Sequence, residues 1–440
     1  MKKQYKDTIV VGFALFAMFF GAGNLIFPPY LGLVSGSHWL TGFSGFVIAD
    51  VGLALLAILA AAKCQGDISV VLGRSGKTIS GILAAAIMIC LGPLLAIPRT
   101  GATTFEMGVA PIFSGFSPIL FSVIFFGLTL VLTIKPSKVV DIIGQYLTPA
   151  LLVALIFLII MGVVSPLGDL SQPAKIDAIF AEGISQGYQT MDPLGAIALS
   201  AVVIISLGQK GYKKESEKVK LTLQAGIVAG VALLIVYGGL AYLGATVAGQ
   251  FKGVNPADIN QTALIVNITE QLLGQPGKVV LAVIVALACL TTSIGLVSAT
   301  AQYFSKISNG KVKYETIVIG VCIFSAVVAN FGVSTIISFS APILSIIYPA
   351  TIVLVLMTLF SSKIKNDNAF KFATYIALLV SVITVVDSMG IKMSFIHKLP
   401  FDSLGFNWIV PVIIAGVVGS LIPSKKASSS DSLNQDIINK

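Results

Sequence analysis

The chain has 440 residues, of which 56% are hydrophobic and 11% charged, and its mean hydropathy is +0.96. A soluble domain of this length carries about 25% charged residues because its surface faces water, so a cytoplasmic enzyme, a secreted disulfide scaffold and a disordered regulator are excluded. The 28 basic residues outnumber the 19 acidic ones, but they are scattered over short connections and form no groove for nucleic acid.

A helix needs about 20 apolar residues to cross ~30 Å of hydrocarbon. That ruler predicts twelve spans, near residues 8–34, 39–62, 79–98, 117–134, 142–165, 191–209, 221–248, 277–304, 314–331, 335–360, 369–389 and 405–422. Met1-Lys2-Lys3 is basic, yet the apolar stretch after it is too long for a signal peptide, so it reads as an uncleaved first span. No soluble domain fits between the spans. Residues 1–423 therefore read as one transmembrane domain, and the Ser- and Lys-rich segment 424–440 as a disordered tail.

The first span is interrupted at Gly21-Ala22-Gly23-Asn24, followed by Pro28-Pro29. Lipid cannot satisfy irregular backbone, so a break at membrane depth should line a cavity. Its N–H groups would attract a carboxylate and its carbonyls a cation. The alternative is a small-residue packing face with a proline kink. Asp50 lies inside the second span, where it would relay protons, join a cation pathway or bond structurally in the bundle interior. Arg99, just after Pro98, is either one half of an external gate pair with Glu106 or an interfacial anchor at the end of span three.

The sixth span repeats the interruption. Residues 176–188 have helical spacing but are too short and polar to cross alone, and Asp192-Pro193 follows. This predicts two half-helices joined by an unwound strip from Tyr188 to Asp192, with Asp192 a second proton candidate; the rival reading is a surface helix in an external loop. Breaks five helices apart indicate inverted repeats of about 8–165 and 176–360, with two extra helices at 369–422. In the eighth span Thr291, Thr292 and Ser293 offer hard oxygens for Na⁺, or hydrogen bonds within and between helices.

Other chemistries find little support. Cys64, Cys90, Cys289 and Cys322 lack paired spacing, and His38 and His397 sit in polar connections, so no disulfide, resident metal, nucleophile or cofactor is indicated. With the N-terminus in the cytoplasm, 22 basic residues fall on the inner side and 6 on the outer. That bias puts both termini inside.

Four motifs then identify a resemblance: Gly21-Ala22-Gly23-Asn24-Leu25-Ile26-Phe27-Pro28-Pro29, Gly92-Pro93-Leu94-Leu95-Ala96-Ile97-Pro98-Arg99-Thr100, Gly187-Tyr188-Gln189-Thr190-Met191-Asp192 and Thr291-Thr292-Ser293-Ile294-Gly295. In that order, over residues 8–423, they resemble the bacterial branched-chain amino acid carrier family (the LIVCS group). The resemblance implies an all-α, LeuT-like fold of the amino acid–polyamine–organocation superfamily, and cation-coupled uptake of leucine, isoleucine and valine across the bacterial cytoplasmic membrane. It implies that backbone at Gly21, Ala22 and Gly23 holds the substrate carboxylate. Tyr188, Gln189 and Thr190 would lie against the substrate and bind its amino group through carbonyls, with Asn24 an additional substrate or cation contact. Carbonyls near Ala17 and Phe20, with Thr291, Thr292 or Ser293, would hold Na⁺. Na⁺ and H⁺ both stay open as coupling ion. A carrier of another zwitterion or of a nucleobase is the runner-up, ahead of a channel or a membrane enzyme.

Overall fold

The computed structural model describes residues 2–134 and 148–423, which form helices and their connections with no β-strand. The first six residues of the fifth predicted span (142–147), Lys135, Lys138 and the segment 424–440 lie outside the described residues. Eight described helical stretches are long and apolar enough to cross a membrane, and Pro118–Thr133, Thr148–Val164 and Ile409–Leu421 are shorter apolar helices. With the first span added, and one of the eight turning back at its start, the elements follow the twelve predicted spans.

That first span is broken where its glycines predict. Helix α1 (Lys2–Phe19) stops, Phe20 and Gly21 leave the helical path, and α2 (Ala22–Ser35) begins. Gly36, at φ 52°, then reverses the chain into α3 (Trp39–Val47), a π-helical turn (Ile48–Gly52) and α4 (Leu53–Lys63). After the short α5 (Ile68–Gly73), span three runs further than its sequence indicates. Helix α6 (Lys77–Ile89), a π turn (Cys90–Leu94), α7 (Ala96–Thr103) and a second π turn (Thr104–Val109) follow in line. The true interruption is at Gly92-Pro93, where Gly92 has ψ −126°. Pro98 sits in the first turn of α7, where its missing N–H would have had no helical partner. It opens a segment instead of closing one, and this moves Arg99 from the rim into the interior.

Span four is α8 (Pro118–Thr133) and span five α9 (Thr148–Val164). Span six is broken more sharply than expected: α10 (Ile179–Thr190) and α11 (Asp192–Gln209) meet at Met191 alone, at φ 68°. Tyr188, Gln189 and Thr190 stay helical, because one left-handed residue suffices to turn the chain and Pro193 fits the first turn of α11. Then come α12 (Glu215–Thr246), α13 (Gln261–Ile307, bent at Gly274), α14 (Tyr314–Val328), α15 (Val333–Leu359), α16 (Asp367–Ser388) and α17 (Ile409–Leu421). The last two pack on each other.

Glycine seams hold the broken helices in place. A Cβ on Gly32 would lie 1.9 Å from the Ala241 carbonyl oxygen, and one on Gly244 only 1.8 Å from that of Pro29, so α2 and α12 touch backbone to backbone. Gly45 and Gly183 do the same between α3 and α10, at 2.4 and 2.1 Å from the carbonyls of Phe180 and Gly42. Such contact is how helices associate when lipid is as apolar as their side chains.

Candidate functional site

The two breaks meet. Asn24, in the first turn of α2, accepts the Gly21 N–H at 3.1 Å through Oδ1, and its Nδ2 donates to Asp192 Oδ2 at 2.8 Å. The same nitrogen contacts the hydroxyl of Tyr237, which donates to Asp192 at 3.0 Å. All these side chains are buried. A buried amide without its partners would cost about 1–3 kcal/mol, so this network ties α2, α11 and α12 together at one depth.

Asp50 joins from the second span, where the π turn carries it inward to full burial. Its Oδ1 accepts the Thr190 hydroxyl at 2.9 Å, and its carboxyl lies beside that of Asp192. Arg99 is also buried. Its Nη1 and Nη2 donate to the carbonyls of Gln189 and Thr190 at 2.9 and 3.4 Å, and the guanidinium stands 5.4 Å from the centre of the Phe27 ring.

Between these groups is a narrow cavity. Its lining includes the polar positions Gly21, Asn24, Arg99, Thr190 and Asp192 and the apolar side chains of Met18, Leu91, Leu199 and Leu296. Thr292 borders it from α13 and donates to the Ala17 carbonyl at 3.1 Å. The Thr291 hydroxyl lies 2.9 Å from the same oxygen and is also within reach of the Leu287 and Ala288 carbonyls.

Comparison with known proteins accords with this geometry. Residues 4–426 match the model of the branched-chain amino acid transport protein family. The branched-chain amino acid permease BraB of Bacillus subtilis (strain 168) is 36% identical, the match covering 96% of this chain and 97% of the relative. The chain belongs to the branched-chain amino acid transport protein family. Its fold is shared more widely. A Na⁺-coupled sialic acid symporter, solved substrate-bound and outward-open, superimposes with a TM-score of 0.61 at 16% identity, covering 96% of this chain and 91% of the symporter. Mhp1, a nucleobase-cation-symport-1 family transporter solved closed with bromovinylhydantoin bound, gives 0.62 at 14% identity, covering 98% and 96%. The architecture is therefore the LeuT-like one with helices 1 and 6 broken.

For this family member the predicted site residues fall inside, beside and away from the cavity. Gly21, Ala22, Asn24, Thr190, Asp192, Arg99 and Thr292 line one cavity, and Ala17 is within reach of Thr291 and Thr292. Gly23 is beside it, close under Arg99. Phe20 is buried at the break, its ring stacked on Phe16 and Tyr237 at 5.3 and 5.9 Å. Tyr188 and Gln189 are among the residues that do not line the cavity: Tyr188 stacks on Tyr348 at 4.3 Å, and the Gln189 side chain accepts a bond from Ser340. Ser293 is buried, with no hydrogen-bond partner for its hydroxyl among the described residues.

Arg99 and Glu106 are not bonded to each other in this structure. Glu106 accepts the Thr262 hydroxyl at 3.0 Å and the Val333 N–H at 2.8 Å, tying spans three, eight and ten, while Arg99 bonds to the end of α10. Asp192 is buried in the interior together with Asp50. Removing Arg99 from the outer count leaves the basic bias intact. Sequence reasoning missed Tyr237, although a phenol in the middle of the apolar run Leu233–Gly239 was a signal.

Proposed function

We propose that this chain is a secondary active symporter that imports leucine, isoleucine and valine into bacteria through the cytoplasmic membrane, with both termini inside. The observation that carries this reading is the pair of helix breaks joined by Asn24 and Asp192 around a narrow cavity lined by both polar and aliphatic side chains. A branched-chain amino acid suits such a mixed lining, with a zwitterion at one end and a compact hydrocarbon at the other. The first N–H groups of α2 have no partners within their helix, and suit the carboxylate.

Na⁺ is the coupling ion this reading favours. Ala17 supplies a carbonyl and Thr291 and Thr292 hydroxyls, all oxygen donors, at the point where α1 ends against α13. Bound there, the ion would order the break, and the ordered break would receive substrate; occupancy of both then shifts the population between outward- and inward-facing states. The neighbouring carboxyls of Asp50 and Asp192 support a second reading in which a proton takes that part. The two repeats of about 8–165 and 176–360 would rock against each other.

The test is uptake of labelled leucine into proteoliposomes with Na⁺ and proton gradients imposed separately. Isoleucine and valine should compete, and an inward Na⁺ gradient should drive accumulation. Failure of both to compete would remove the substrate assignment. Uptake indifferent to either gradient would remove symport.

A further inference from the structure

Arg99 is an expensive residue in this place. A guanidinium stays charged in proteins, and a charge inside a span costs several kcal/mol unless it is compensated. Two carbonyls at the end of α10 compensate part of it. Nε, however, has no hydrogen-bond partner among the described residues, although Arg99 is only 3% exposed.

The place it faces is the start of α2. A Cβ on Gly23 would fall 2.7 Å from the Phe27 ring and 2.8 Å from Nη2, so the glycine leaves room for the guanidinium beside the backbone. The first turn of α2 carries the positive end of a helix dipole and N–H groups without helical partners. Two electropositive elements thus converge on one small buried space. Asp192 borders the same cavity but belongs to the Asn24–Tyr237 network, while Arg99 bonds to α10. The cavity therefore presents a guanidinium and a carboxyl group held by different partners, the counterparts of a zwitterion's two ends.

We propose that Arg99 is a specificity-determining residue that reads the substrate's α-carboxylate together with the α2 N-terminus, leaving the α-ammonium to the Asp192 side. This rests on the transporter reading above and revises one part of what the family resemblance implies. The Gln189 and Thr190 carbonyls, expected to receive the amino group, already accept from Arg99. They anchor the carboxylate's partner.

The experiment compares leucine with leucinamide, which keeps the ammonium and side chain but replaces the carboxylate with a neutral amide. Both are titrated as competitors of labelled leucine uptake by the full chain in proteoliposomes, and as stabilisers of the detergent-solubilised protein in thermal unfolding. The wild type should prefer leucine strongly. In Arg99→Gln the preference should collapse by about 100-fold, through loss of leucine affinity, because a buried charge pair has lost one partner. Leucinamide affinity should change only a few-fold. Arg99→Lys keeps the charge without the planar fork and should lose about tenfold. It also covers the case in which Arg99→Gln fails to fold.

A merely structural Arg99 would weaken leucine and leucinamide alike. An unchanged ratio in Arg99→Gln, or in Arg99→Lys if only that variant folds, overturns the proposal. Wild-type uptake that isoleucine and valine do not inhibit would instead sink the substrate reading, an outcome separate from any change in ratio.

Discussion

Gly21→Ala tests the cation site through its neighbour. Gly21 has φ −120°, a value any residue adopts, so the backbone itself would accept alanine. The new Cβ would meet Thr292 Oγ1 at 2.8 Å, Cγ2 at 2.9 Å and Cβ at 3.0 Å, each 0.4–0.6 Å inside the 3.4 Å at which ordinary contact begins. Thr292 is β-branched and bonded to Ala17, so it must rotate away or push α1 from α13. Overpacking of this size costs about 1–3 kcal/mol. At 1.4 kcal/mol per tenfold that is roughly a 5- to 150-fold loss, felt first at the Ala17–Thr292 contact. The half-saturating sodium concentration for leucine uptake should rise within that range.

Thr292→Ala should also raise it, by removing a donor oxygen, with less effect on leucine affinity at saturating sodium. In the double variant most of the clash is gone, so the two costs should fall short of additivity by about 1 kcal/mol. Strictly additive costs would show that the alanine does not act through Thr292. An unchanged sodium titration in Thr292→Ala would remove the hydroxyl from the cation site.

Asn24→Ala removes the bonds to Gly21, Asp192 and Tyr237 together and should cost about 2–5 kcal/mol; a variant with wild-type melting temperature and uptake would mean that Asn24 does not couple the breaks. Gly244→Ala puts a carbon 1.8 Å from the Pro29 oxygen and should lower the melting temperature in detergent far more than Gly127→Ala, where nothing lies within 4 Å; equal melting would contradict the backbone seam. On the connection after α16, hydrogen bonds to Asp402 and Asp387 raise the His397 imidazole above its usual range. Its contribution is then full below pH of about 6.5 and lost as pH rises through the elevated value. Amides 393–404 should exchange more slowly at pH 6 than at pH 8, after correction for intrinsic rates, and His397→Gln should abolish the difference; a pH-independent wild type would count against the triad.

Much of this architecture was written along the chain. Hydropathy is local, so twelve stretches of apolar residues announced twelve spans without knowledge of their neighbours. The places of the breaks were local too, because Gly21 and Gly23 lower helix propensity and Pro193 suits the first turn of a new helix. Even so, local signals overestimated the second break. Nothing in Gly187-Tyr188-Gln189-Thr190 says that one left-handed Met191 absorbs the whole turn, since helix persistence there depends on bonds to Asp50 and Arg99.

Tertiary structure decided which polar residues meet. Asn24 reaches a partner 168 positions away and another 213 away, and no periodicity encodes such pairs. Proline is ambiguous in the same sense: Pro98 closes a helix or opens one according to where Pro93 has already broken it. That choice carried Arg99 from the membrane edge to the site. Side-chain type set what each group can bond, and the approach of distant helices set what was there to be bonded.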